Sequence, residues 1–81
     1  MKAKLYTTVG CHLCDQALAM LNGLAATDLP LDIECVDIAD SAPLMADYGE
    51  RIPVIRVEGR DDELGWPFGM DELKTFLGTT P

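Results

Sequence analysis

The sequence has no apolar run long enough to cross a bilayer, so a membrane-spanning role is not expected. It is also poor in positive charge, with six Lys and Arg against 14 Asp and Glu, and they form no cluster. Phosphate contacts need concentrated Lys and Arg, so nucleic acid is not expected as a partner. The segment MKAKLYTTVG runs straight into strand-like residues without the apolar stretch and small-residue cleavage site of a secretory signal. Three cysteines are an odd number with only one closely spaced pair, which is poor material for a disulfide framework. A reducing cytoplasm is therefore expected. No repeat or low-complexity segment interrupts the chain.

What is present fits one small globular domain over residues 1–81. Hydrophobic residues make up 48% and charged residues 25%, too apolar a mixture for disorder. The net charge of −8 is uneven. Lys2 and Lys4 balance Asp15 and Asp28, while the acids after position 31 far outnumber Arg51, Arg56, Arg60 and Lys74. Such a surface serves solubility or suits a basic face on a partner.

Ala3 to Thr8 alternates loosely and is rich in strand formers, ending at Val9-Gly10. From His12 onward, Leu13, Ala17, Met20, Leu21 and Leu24 recur at three- and four-residue intervals, a helical stripe that should stop around Ala26 to Asp28, before Leu29-Pro30. Leu31 to Asp37 alternates clearly, with Leu31, Ile33 and Cys35 on one face, so Cys35 is expected to be a buried structural cysteine. Ser41 offers a cap for a short helix over Leu44 to Tyr48, with Pro43 in its first turn and Gly49 ending it. Ile52 to Glu58 is a third strand with Pro53 at its start. Gly59 to Asp62 is turn-like, Glu63-Leu64 a very short strand, and Met70, Leu73, Phe76 and Leu77 space as a helix closed by Gly78, leaving a tail at Thr79. The order β-α-β-α-β-β-α predicts an α/β fold, a four-stranded mixed sheet flanked by three helices.

Cys11-His12-Leu13-Cys14 follows the first strand and opens the first helix. There a Cys11 thiolate meets unpaired backbone amides and the positive end of the helix dipole, which lowers its pKa below the free value of about 8.5. Cys14, one turn on, is placed to resolve a mixed disulfide. Zinc wants four ligands and the chain offers no second pair, so no metal is expected in one subunit, although two subunits could together hold zinc or an iron–sulfur cluster. His12 as an imidazolium would favour the neighbouring thiolate, or is simply an exposed histidine. Asp15 suits the dipole and reads as cap chemistry. Tyr6 reads as sheet packing.

Taken together, Leu5 to Cys14, Arg51-Ile52-Pro53-Val54 and Trp66-Pro67-Phe68 make the chain resemble the glutaredoxins of the thioredoxin superfamily, and in particular a group of short glutaredoxin-like proteins. The resemblance covers essentially all 81 residues. It implies a thioredoxin-like fold, Cys11 as the attacking thiol, Cys14 as the resolving thiol and Pro53 as the cis-proline opposite them. Ile52 would then offer its backbone to an extended substrate. Trp66, with Phe68, either walls the site or closes the core.

The departures from the family pattern bear on function. Thr8 stands where many glutaredoxins place a base, and Gly65-Trp66-Pro67-Phe68-Gly69 replaces the usual glycine pair amid acids at Asp61, Asp62, Glu63 and Asp71. Both argue for weak recognition of acidic glutathione. The tryptophan before the first cysteine and the glycine-proline between the cysteines that mark thioredoxins are absent. The expected function is a monomeric thiol–disulfide oxidoreductase acting on a disulfide-containing protein or a small thiol. It would bind no tight cofactor, with glutathione or a protein dithiol as external electron donor. The alternatives are a non-catalytic thioredoxin-like interaction module and a metal or iron–sulfur carrier.

Overall fold

The computed structural model describes residues 1–27 and 31–78; the first helix is followed to Thr27, inside the expected stop at Ala26 to Asp28, and the tail at Thr79 lies outside the described residues. The chain runs β1 (Lys2–Thr7), α1 (His12–Thr27), β2 (Asp32–Asp37), a 3-10 turn (Ile38–Asp40), α2 (Ala42–Tyr48), β3 (Val54–Val57), β4 (Glu63–Gly65) and α3 (Met70–Leu77). The strands form one sheet in the order β2-β1-β3-β4. β1 pairs with β2 in parallel, Lys2 opposite Asp32 through Thr7 opposite Asp37. β3 runs antiparallel to both β1 and β4. The sheet is mixed and the expected thioredoxin-like architecture holds.

Strand periodicity divides the core in two. Ala3, Leu5, Ile55 and Val57 face α1 and α3, packing with Ala17, Leu21, Leu24, Phe68, Leu73 and Leu77. Tyr6 and Val54, one residue out of phase, face the other way and pack with Ile38 and Tyr48. Each fully buried leucine contributes about 1.5–3 kcal/mol, so a chain this short depends on each of them.

Local chemistry explains the boundaries. Ser41 caps α2 as expected, its Oγ accepting from the Leu44 amide at 3.4 Å. The 3-10 turn, absent from the sequence reading, starts where the Asp37 carboxylate accepts from the Ala39 amide at 2.9 Å. α3 begins where Glu72 reaches back to the Gly69 amide. It ends at Gly78, whose φ of 86° suits glycine.

Two expectations need correction. Cys35 is exposed, not buried. β2 is an edge strand with a single neighbour, so although Leu31 and Ile33 pack against the core, Cys35 in the same phase stays open. Leu13 is 43% exposed despite its place in the α1 stripe, while Cys14 is buried in that first turn.

Candidate active site

The strand register gathers the candidate residues at one end of the sheet. β1 ends at Thr7, and the chain then turns through Thr8 to Cys11, whose amide donates to the Thr8 carbonyl at 3.3 Å. Gly10 sits third in that turn with φ of 83°, a conformation that favours glycine. Because Tyr6 pairs with Val54, Pro53 and Ile52 extend β3 toward the same end. Val54 in turn pairs with Gly65, and the Trp66 amide donates to the Pro53 carbonyl at 3.1 Å. Thus Cys11, Ile52, Pro53 and Trp66, far apart in the chain, share one edge of the fold.

Cys11 and Cys14 are joined as a disulfide, with Cα atoms 5.2 Å apart. Their environments differ. Cys11 is partly exposed, whereas Cys14 is only 2% exposed. Cys11 itself fills the helix-capping position: its carbonyl accepts from the Asp15 amide at 3.3 Å and its Sγ accepts from the Cys14 amide at 3.1 Å. The cap chemistry expected of Asp15 is thus supplied by sulfur, and the exposed Asp15 is left with only its charge near the helix start. A backbone amide already aimed at Sγ is suited to hold a thiolate there.

His12 is exposed in the first turn of α1. The Ile52–Pro53 peptide is cis, in keeping with the resemblance, and Trp66–Pro67 is cis as well. Ile52 is placed differently from the expectation: its amide donates to the Tyr48 carbonyl at 3.2 Å, and its side chain packs against Tyr6, Ile38, Tyr48 and Val54. Trp66 is half-buried and meets Phe68 edge to face at 5.0 Å, with Phe68 buried in the larger core. Phe68 therefore closes the core, and Trp66 stands between the core and Pro53.

Features the sequence reading missed surround this edge. Val9, two residues before Cys11 in the turn, is 90% exposed, and Leu13, two residues after it, is 43% exposed. The Ile52–Pro53 segment is held from behind by Tyr48, which stacks on Tyr6 at 4.6 Å and accepts the Arg51 amide at 2.8 Å on its carbonyl. The Tyr48 hydroxyl donates to Glu63 at 3.1 Å, Glu63 pairs with Arg51, and Arg51 lies over the Tyr48 ring. Arg56 also donates to the Tyr48 hydroxyl, a contact that raises the pKa of Arg56. Among the described residues no group of three or more His, Cys, Asp or Glu could hold a metal ion, and no helix is long and apolar enough to cross a membrane.

Fold and dithiol together define a thioredoxin-like protein of redox type. A family model described as "Glutaredoxin-like domain (DUF836)" matches residues 2–78, and the chain belongs to that family. Among solved structures, it is similar to the target protein XcR50 from X. campestris, determined by X-ray at 38% identity with a TM-score of 0.78, covering 98% of this chain and 99% of that one. The solution structure of XcR50 is likewise 38% identical, with a TM-score of 0.76 and coverage of 100% and 97%. Thioredoxin 1 from Thermosipho africanus TCF52B shares the fold at 17% identity, with a TM-score of 0.71 over 98% of this chain and 92% of that one. No curated protein matches the sequence.

Proposed function

We propose that the protein is a small thiol–disulfide oxidoreductase in which Cys11 attacks and Cys14 resolves. The observation that carries this reading is the asymmetry of the pair. The partly exposed Cys11 sulfur sits at the helix start with an amide directed at it, and the buried Cys14 lies within reach behind it. In the reduced state the Cys11 thiolate attacks a substrate disulfide, forming a mixed disulfide and expelling one substrate sulfur as a thiolate that takes up a proton. Cys14, deprotonated, then attacks Cys11 Sγ, closing the internal disulfide and releasing the second substrate sulfur. Two electrons pass from the dithiol to the substrate, and an external thiol, glutathione or a protein dithiol, restores the reduced pair.

Pro53, Trp66 and the Ile52 carbonyl form the opposite bank of the site in this reading, and an exposed His12 imidazolium would favour the Cys11 thiolate. Val9 and Leu13 favour a disulfide carried on a protein over a small acidic thiol. No tightly bound cofactor is required. The free thiol of Cys35 and the dithiol chemistry fit a reducing compartment, and we assign the protein to the cytoplasm, working as a monomer.

The test equilibrates the whole protein in graded reduced and oxidised glutathione, quenches with acid, and separates the species by mass. The expected result is a reversible Cys11–Cys14 disulfide within the range of thiol oxidoreductases, about −270 to −120 mV. C11S should lose exchange, and C14S should accumulate a mixed disulfide at Cys11. Full turnover in both single variants, or an unreactive pair, overturns the assignment in favour of a non-catalytic binding module.

A further inference from the structure

On the face of the sheet that carries α2, Tyr6, Val36 and Val54 pack with Ile38 and Tyr48 at the dithiol end. The next row of side chains crosses the sheet in the order Glu34, Lys4, Arg56, Glu63. Each central cation thus has a carboxylate as its outer neighbour, yet both carboxylates are engaged elsewhere. Glu34 pairs with Lys2 at 3.1 Å. Glu63 gives one oxygen to the Tyr48 hydroxyl and the other to Arg51.

Lys4 and Arg56 are left directly opposite each other on adjacent antiparallel strands, an arrangement of like charges that is destabilising without a counter-charge. Arg56 has the Tyr48 hydroxyl at 3.5 Å, and among the described residues Lys4 makes no ion pair or side-chain hydrogen bond. Both line a depression of about 220 Å³ with Tyr6, Glu58 and Arg60. Arg60 is already matched by its fork onto Asp62. Glu58 on the rim and Asp61 in the adjoining turn are exposed, and neither lies within ion-pair distance of Lys4 or Arg56.

We propose that this depression is an oxyanion site, which takes the phosphoryl or carboxylate group of a small molecule between the Lys4 ammonium and the Arg56 guanidinium. Two adjacent cations whose carboxylate neighbours are taken up by Lys2, Tyr48 and Arg51 are open to an anion from solution. The guanidinium presents paired donors to such a group, and the ammonium adds a point charge. The site is separate from the dithiol: Lys4 and Arg56 lie in mid-strand, while Cys11 lies beyond the end of β1.

The experiment follows the amide resonances of the whole protein during titration with sodium phosphate and, separately, sodium malonate, each against sodium chloride at equal ionic strength. Saturable shifts centred on Lys4 and Arg56 are expected. A response in the phosphate arm alone identifies a phosphoryl ligand, and one in the malonate arm alone a carboxylate. K4Q should weaken binding by about tenfold or more, the value of one charge-assisted hydrogen bond, while the rest of its spectrum stays folded. R56K, which keeps the charge, should bind more weakly than wild type but better than R56Q. Shifts that follow ionic strength alike in all three salts, or saturable binding unchanged in K4Q, overturn the proposal.

Discussion

Replacing Cys11 by alanine and by serine separates the two tasks assigned to its sulfur. In the structure Cys11 Sγ accepts the amide of Cys14, a residue only 2% exposed, so water cannot readily replace a lost acceptor. Serine keeps an acceptor at that position and alanine removes it. Loss of a helix N-cap side chain costs about 1 kcal/mol, within a range of about 0.5–2. For a domain of this size that lowers the melting temperature by about 4–8 °C. Thermal unfolding followed by circular dichroism in excess reductant, where neither variant nor wild type carries a disulfide, should place C11A below C11S by that interval. Both variants should be inactive in disulfide exchange, because the nucleophile is gone from each. Identical melting curves for C11A and C11S would show that the sulfur does not cap α1. A thiolate held by the Cys14 amide would then lose its structural basis.

Two further predictions rest on the surface. In the oxidised protein, an alkylating reagent followed by mass spectrometry should modify one thiol, Cys35, without denaturant, and C35S should change stability by no more than about 0.5 kcal/mol, as is usual for exposed sites. The Arg60 fork holds the Asp62 carboxyl below its ordinary pKa, so the pair's contribution to stability is present above the usual carboxylate range and fades as pH falls through the lowered value. Carboxyl-carbon NMR should show that early titration point moving back to the ordinary range when Arg60 is replaced by glutamine.

Much of the fold was legible because periodicity and turn chemistry agree. The Leu31–Asp37 alternation, the Ser41 cap and the glycine at position 78 each marked a boundary that the structure keeps within two residues. The dithiol was legible for the same reason, since a strand, a glycine and a helix start announce it locally. Alternation assigns Cys35 to a face of β2, but it says nothing about whether that strand is central or at an edge, and the edge decides its exposure. Helical spacing places Leu13 on the α1 stripe, yet the first turn leaves it outside the core. The clamp of Tyr48, Arg51 and Glu63 behind Pro53 joins residues from α2 to β4, and no short-range spacing rule brings them together. A scan for apolar residues beside the cysteines would have found Val9 and Leu13.

The two open margins of the sheet also bear on how the protein behaves when crowded. An unpaired strand edge is a template for joining other chains, and this fold restrains both of its edges by different means. β4 is only three residues long, too short to seed an extended ribbon. β2 has six residues but carries Asp32, Glu34 and Asp37, so a second molecule approaching edge to edge would bring carboxylates against carboxylates. Acidification that neutralises these groups removes that barrier, and concentrated protein should then become prone to β-rich aggregation through β2 while its core is still folded.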